Sequence, residues 1–368
     1  MSMMVFQNIF FNLNFNRMKK QLLPIFIFIG IFNLAILNQS ASACTRVLYK
    51  GNNGLILTAR SMDWSTKIGT NLWLLPRGMK RNGEVGNNSI HWKSKYGSII
   101  ASGFDIATAD GMNEAGLVAN VLWLAESEYE KWDGTKPGMS IALWAQYVLD
   151  QFATVEEAVN ALQKEEFVVV TAAIPGTSRL TTLHLSISDK SGDNAIFEYV
   201  DGKLTIHHSP DYTVMTNSPI FDKQLALDEY WKEIGGTTML PGTNRAADRF
   251  ARASFYIDAI PKTDDYRVAV ASVFSVIRNV SVPYGISTPG QPNISSTRWR
   301  CVSDHKNLVY YFETTLTPNI FWVDLKQVDF TEGNPVKKLS IVNKETYAGN
   351  ALDSFVEHEL FKFEGISY

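Results

Sequence analysis

The reading of this chain turns on Ala41-Ser42-Ala43-Cys44-Thr45-Arg46, where a secretion signal ends and a cysteine follows. Cleavage after Ala43 would make Cys44 the first residue of the mature chain, so that one residue carries both a thiol and a free α-amino group. A thiol needs a base to become a nucleophilic thiolate, and an α-amino group titrates at about 7.7–8.0, near working pH. Cys44 can then supply both nucleophile and proton acceptor.

Working outward, residues 1–43 read as a signal peptide. Arg17, Lys19 and Lys20 form a basic patch, Leu22 to Leu37 is mostly apolar, and Ala-Ser-Ala precedes the cut. That apolar run of 16 positions is shorter than the roughly 20 needed to span a bilayer, so no stable membrane insertion is expected once the signal is removed. Met18, directly before the two lysines, makes a more ordinary start than Met1. Residues 44–368 read as a single domain, periplasmic or secreted.

Residues 1–43 hold three basic side chains and no acids, which leaves 31 Lys+Arg against 37 Asp+Glu from Cys44 onward. That balance carries no clustered basic footprint for nucleic acid. The only cysteines are Cys44 and Cys301. In an oxidising compartment they could form one disulfide, but a chain this long can bury a sizeable core without a bridge.

Residues 44–63 predict a hairpin, with Val47–Tyr49 and Leu55–Ala59 flanking the turn Gly51-Asn52-Asn53-Gly54. Cys44 then opens a sheet edge. Arg60 and Asp63, three apart on a plain strand, face opposite ways, so both reach Cys44 only if the chain bends near Ser61–Met62. A short strand over Asn71–Pro76 and another over Ser98–Ser102 follow, and Gly111–Leu117 reads as a turn feeding the apolar run Leu117–Leu124. Helices are expected at Ser140–Leu149 and from Thr154, where Glu157 completes a capping box. Strands are expected at Phe167–Ile174, Thr181–Ser188, Ala195–Tyr199, Leu204–His208 and Tyr212–Met215. Helices return at Ile220–Lys232, Asn244–Ile260 and Asp265–Asn279, and strands from Thr297. Blocks of strands with helices grouped between them indicate a layered α+β domain.

Common hydrolase and nucleotide signatures are missing: no G-x-S-x-G, H-E-x-x-H, P-loop or G-x-G-x-x-G occurs. His207 and His208, adjacent on a strand, point to opposite faces and make a poor metal pair, while His184 reads as a packed or hydrogen-bonded residue. No histidine is marked as a partner for Cys44, which favours the α-amino group as base.

Five motifs occur in order: Cys44-Thr45-Arg46, Ala59-Arg60-Ser61-Met62-Asp63-Trp64, Asp110-Gly111-Met112-Asn113-Glu114-Ala115-Gly116-Leu117, Thr216-Asn217-Ser218-Pro219 and Asp248-Arg249-Phe250. Together they resemble the choloylglycine hydrolase family, the penicillin V acylases and conjugated bile salt hydrolases. The resemblance implies an N-terminal-nucleophile hydrolase with a four-layer αββα sandwich, a small-molecule amide substrate, and no cofactor or metal. It also implies roles. Cys44 would attack the amide carbon and relay a proton through its amine; Asp63 would hold that amine. Arg60 would favour the thiolate, Asn217 would offer an N–H to the oxyanion, and Arg249 would point inward to polarise the site.

Trp123 departs from the Asn of the bile salt enzymes and the Tyr of some penicillin acylases. It keeps a backbone N–H for the oxyanion and, with Trp64 and Trp73, suggests an aromatic-walled acyl pocket; Trp64 and Trp73 fit a packed core equally well. The 32 residues from Asn217 to Arg249 are fewer than in Gram-positive members, whose intervening excursion serves assembly, so a homo-oligomer is left open. The expected reaction is hydrolysis of a linear amide between an apolar acyl group and a small polar amine. Penicillin V and N-acyl homoserine lactones are the leading substrates, with conjugated bile salts as the alternative. A reading from another class acylates Cys44 as the lipid anchor of a periplasmic binding protein, although Ala41 stands where such a site prefers a Leu-like residue.

Overall fold

The computed structural model describes residues 44–366 apart from 175, 287–294, 318 and 344, so the signal-peptide reading of residues 1–43 lies outside the described residues. Two large sheets form the centre, one of seven strands and one of nine. The seven-stranded sheet is built around β1 (Cys44–Lys50) and β2 (Ile56–Trp64), the expected hairpin, which pairs Cys44 with Met62 and Arg46 with Arg60. Its turn places Asn53 and Gly54 at φ 53° and 71°, the left-handed backbone that Asn and Gly adopt most readily. Ser296–Asp304 pairs along the other edge of β2.

Both faces of the hairpin are buried, and they differ in chemistry. Thr45, Val47, Tyr49, Leu57 and Ala59 face outward to helices. Arg46, Thr58 and Arg60 face the nine-stranded sheet and hydrogen-bond across to it. Helices α1 (Trp144–Gln151) and α2 (Val155–Leu162) pack on the outer side of the nine-stranded sheet. α3 (Phe221–Ile234), α4 (Ala246–Ala259) and α5 (Tyr266–Asn279) form the layer outside the seven-stranded one. The expected αββα order is the one observed. Thr154 caps α2 by accepting from the Glu157 N–H, and the Glu157 carboxylate returns a bond to Ala153 N, one residue before the cap.

Two expectations differ from the structure. Gly111–Asn113 belongs to a strand, Ala107–Asn113, and the turn is confined to Glu114–Gly116. Gly111 is there for close approach, since a Cβ would sit 2.6 Å from the Ile99 carbonyl oxygen. Of Phe167–Ile174, only Val168–Val170 is strand, paired in parallel with Gly138–Ser140 outside the two main sheets. The remainder turns toward a cavity described below. Among the described residues no helix is long and apolar enough to cross a membrane.

His305 ties the two sheets together. Its Nδ1 lies 2.7 Å from the Gly116 carbonyl, which can only accept, so Nδ1 carries the proton. Nε2 then accepts from Thr58 Oγ1 at 2.8 Å, and Thr58 Oγ1 lies 2.7 Å from Ser188 Oγ. Burial pushes the imidazole down from 6.5 to about 4. The folded pKa lies below the unfolded one, so the unfolded chain takes up the proton first. The contribution is present above pH 6.5 and is lost as pH falls toward 4. Urea unfolding should therefore show about 3 kcal/mol of pH-dependent stability in that window, and His305→Gln should remove that slope.

Candidate active site

The start of β1 sets the site. Register places Cys44 opposite Met62, and alternation sends the Cys44, Arg60 and Met62 side chains to the inter-sheet face while Thr45, Ser61 and Asp63 face the helices. Arg60 Nη2 stands 4.0 Å from Cys44 Sγ, and Met62 Sδ stands 3.9 Å from it. The guanidinium is held by the carbonyls of Ala109 and Val121 at 2.5 and 2.8 Å, with the Asp110 carboxylate 3.6 Å away. Asp110 is itself fixed by Asn120 at 2.5 Å and the Tyr310 hydroxyl at 2.7 Å. Burial pushes the Cys44 thiol up, and Arg60 pulls it back down. The negative charge of Asp63 opposes that pull.

On the other face, Arg249 of α4 is fully buried. Its Nη1 donates to the Cys44 carbonyl at 2.7 Å and to Thr45 Oγ1 at 2.5 Å, and its Nη2 to Asn217 Oδ1 at 3.0 Å. The Asp63 carboxylate lies 3.9 Å from it and accepts from Thr297 Oγ1 at 2.5 Å. The Cys44 nitrogen, a peptide N–H in the uncleaved chain, donates to Asn217 Oδ1. Alternation along β2 turns the Asp63 side chain to the helix face. The irregularity lies in the neighbouring strand, where register shifts between Thr297 and Trp299. Asp63 therefore stays behind the sheet. Asn217 Nδ2 donates to the Trp123 carbonyl at 2.6 Å, and Gln224 of α3 holds the Asn217 carbonyl.

Cys44, Arg60, Asp63, Asn217, Arg249 and Trp123 are thus brought to one place. Sequence reasoning missed Thr297, Gln224 and the pairing role of Asp110. The first two have no local signal, and the Asp110-Gly111-Met112-Asn113 motif does not by itself assign Asp110 a role. Trp73 is core: its indole donates to Asp105 at 3.0 Å. Trp64 and Trp123 meet edge-to-face at 5.8 Å and wall a cavity of about 110 Å³ that reaches Cys44 and Arg60. Phe104, Ile106 and Ala142 make much of the rest apolar, and Glu364 also lines the cavity. The Trp123 indole nitrogen is buried without a partner among the described residues, a donor left for an acceptor. Both cysteines are free, and Cys301 Sγ lies 3.4 Å from Asp110. His184 bonds Glu198 at 3.0 Å, and no group of three or more His, Cys, Asp or Glu among the described residues could hold a metal.

A buried cysteine beside a guanidinium, opening on an apolar chamber, is suited to acyl transfer. Residues 44–338 match the linear amide C–N hydrolases, choloylglycine hydrolase family. Among curated relatives, the penicillin V acylase of Pectobacterium atrosepticum is 55% identical over 348 residues, covering 88% of this chain and 93% of that protein. The bile salt hydrolase/transferase of Clostridium perfringens is 27% identical over 323 residues, covering 80% and 95%. Among solved structures, the penicillin V acylase from Agrobacterium tumefaciens superposes with a TM-score of 0.83 at 62% identity, over 88% of this chain and all of that one. The conjugated bile acid hydrolase from C. perfringens gives 0.70 at 26% identity, over 83% and 98%. The chain belongs to the choloylglycine hydrolase family and is a hydrolase acting on linear amides, with the αββα sandwich of N-terminal-nucleophile hydrolases.

Burial pushes the Asp63 carboxyl up from 3.8 to about 6, against the opposing pull of Arg249 and Thr297. A raised carboxyl pKa contributes stability below pH 3.8 that is lost as pH rises through 6. The stability of the native protein relative to Asp63→Asn should therefore fall by about 2 kcal/mol between pH 4 and pH 7, read from urea unfolding at both.

Proposed function

We propose that the protein is exported, is processed to begin at Cys44, and hydrolyses a linear amide between an apolar acyl group and a small polar amine. One observation carries this reading: Cys44 Sγ faces an aromatic-walled apolar cavity while its nitrogen is held by Asn217. Once freed, that nitrogen is an amine, and it takes the thiol proton as sulfur attacks the carbonyl carbon. The carbonyl becomes an oxyanion. The amine passes its proton to the departing nitrogen, the carbon–nitrogen bond breaks, and a thioester remains for water to hydrolyse.

Asn217 has two amide N–H groups, one spent on the Trp123 carbonyl, which leaves the second for the oxyanion. Arg60 stabilises the thiolate, and Arg249 and Asp63 hold the first strand from behind. The aromatic chamber and the likeness to two penicillin V acylases favour penicillin V or an N-acyl homoserine lactone as substrate, with conjugated bile salts as the alternative. A periplasmic or secreted location follows from the signal reading of residues 1–43.

Edman sequencing of the exported protein should read Cys-Thr-Arg; a start upstream of Cys44, or an acylated terminus, would overturn the mechanism. Against a panel of penicillin V, acyl homoserine lactones and conjugated bile acids, Cys44→Ala should lose all hydrolysis while keeping the native circular dichroism. Asn217→Ala should lower kcat by about 10²–10³-fold, the usual cost of one oxyanion donor.

A further inference from the structure

The mouth of the chamber carries a charge that the chemistry above does not use. The Arg179 guanidinium lies over the Trp123 ring, 4.2 Å from its centroid. Arg179 belongs to a tight hairpin: Ala173 bridges Leu180, and Ile174 N donates to the Arg179 carbonyl at 2.9 Å. The hairpin is rooted where Thr181 N meets the Ala172 carbonyl at 2.8 Å. Ala172, Ala173, Ile174 and Thr181 all line the cavity, so Arg179 rides on the rim. Among the described residues no carboxylate pairs with it, and the residue is exposed.

The other charges at the cavity are placed differently. Arg60, beside the sulfur, is already paired with Asp110, and Glu364, which also lines the cavity, carries the opposite charge. An apolar acyl group seated in this mostly apolar chamber would leave the amine half of the amide to project outward past Trp123. A guanidinium held over an indole face by its charge still has N–H donors to offer, in the planar fork that matches a carboxylate.

We propose that Arg179 is a specificity-determining residue that binds an anionic group on the amine half of the substrate. The inference rests on the amide-hydrolase reading of Cys44 and sharpens it: amides with a carboxylate-bearing leaving amine are preferred over those releasing an uncharged amine such as a homoserine lactone.

The test compares phenoxyacetyl-glycine with phenoxyacetyl-glycinamide, which share an acyl group and differ in that charge. Arg179→Met keeps a stem over the Trp123 ring and removes the guanidinium; Arg179→Lys keeps a cation. For the carboxylate substrate, Arg179→Met should raise KM about tenfold with kcat little changed, the scale of one charge-assisted hydrogen bond at a partly wet site. Its KM for the glycinamide should stay as in the native enzyme, and Arg179→Lys should restore part of the loss. Equal effects on both substrates, or none on either, would overturn the proposal while leaving the hydrolase reading intact. A native enzyme that hydrolyses penicillin V but not phenoxyacetyl-glycine would overturn the proposal alone, and no hydrolysis of any amide in the panel would overturn the Cys44 reading with it.

Discussion

Two arginines with almost no exposure, Arg60 and Arg249, sit on opposite faces of one hairpin, and neither can be buried without partners. A desolvated guanidinium costs several kcal/mol unless most of its donors are met and a counter-charge lies close. The Arg60 terminal nitrogens are met by two carbonyls of the facing sheet and by Asp110, and its Nε is left buried without a partner among the described residues. Arg249 is met by the Cys44 carbonyl, Thr45, Asn217 and, more distantly, Asp63. Satisfying these two side chains fixes how the nine-stranded sheet lies beneath Cys44 and how α4 lies behind it. The geometry around the sulfur is a by-product of solving that burial problem twice.

The layer between the sheets is correspondingly polar beneath the hairpin. Arg46 bonds Asn194, Thr58 bonds Ser188 and His305, and Asp110 gathers Asn120, Tyr310 and Cys301. Directional contacts of this kind tolerate one stacking register, whereas an oily interface tolerates several. A one-residue slip of β1 on β2 would put Cys44 among the helices and Thr45 in the chamber. Accuracy at the nucleophile is therefore spread over the whole sandwich.

Much of this was legible in advance. Alternation in residues 44–63 and the Gly-Asn-Asn-Gly turn give the hairpin, hence the pairing that sets Arg60 beside Cys44. The sequence also shows that Asp63 faces the other way. It cannot show whether a bend or a neighbour resolves that conflict, because the irregular register and Thr297 lie 234 residues downstream. Asn217 and Arg249 became visible only through the family resemblance, since nothing local separates them from a turn residue and a helix-surface charge. Gly111 misled for a related reason: a glycine demanded by an approaching backbone looks, in one dimension, like a glycine demanded by a turn. Trp73 and Trp64 could not be sorted, because core and chamber are equally apolar surroundings.

The chamber is lined both by Cys44 and by Glu364, whose nitrogen donates to the Ile106 carbonyl at 2.8 Å and whose carbonyl accepts from Ser140 at 2.6 Å. Its walls thus join the two extremities of the described polypeptide. A ribosome that has made the hairpin, the sheets and most helices has still not made the compartment. Full enclosure waits until residue 364 has been synthesised and docked, so a nascent chain carries the nucleophile long before it has anywhere to seat an acyl group.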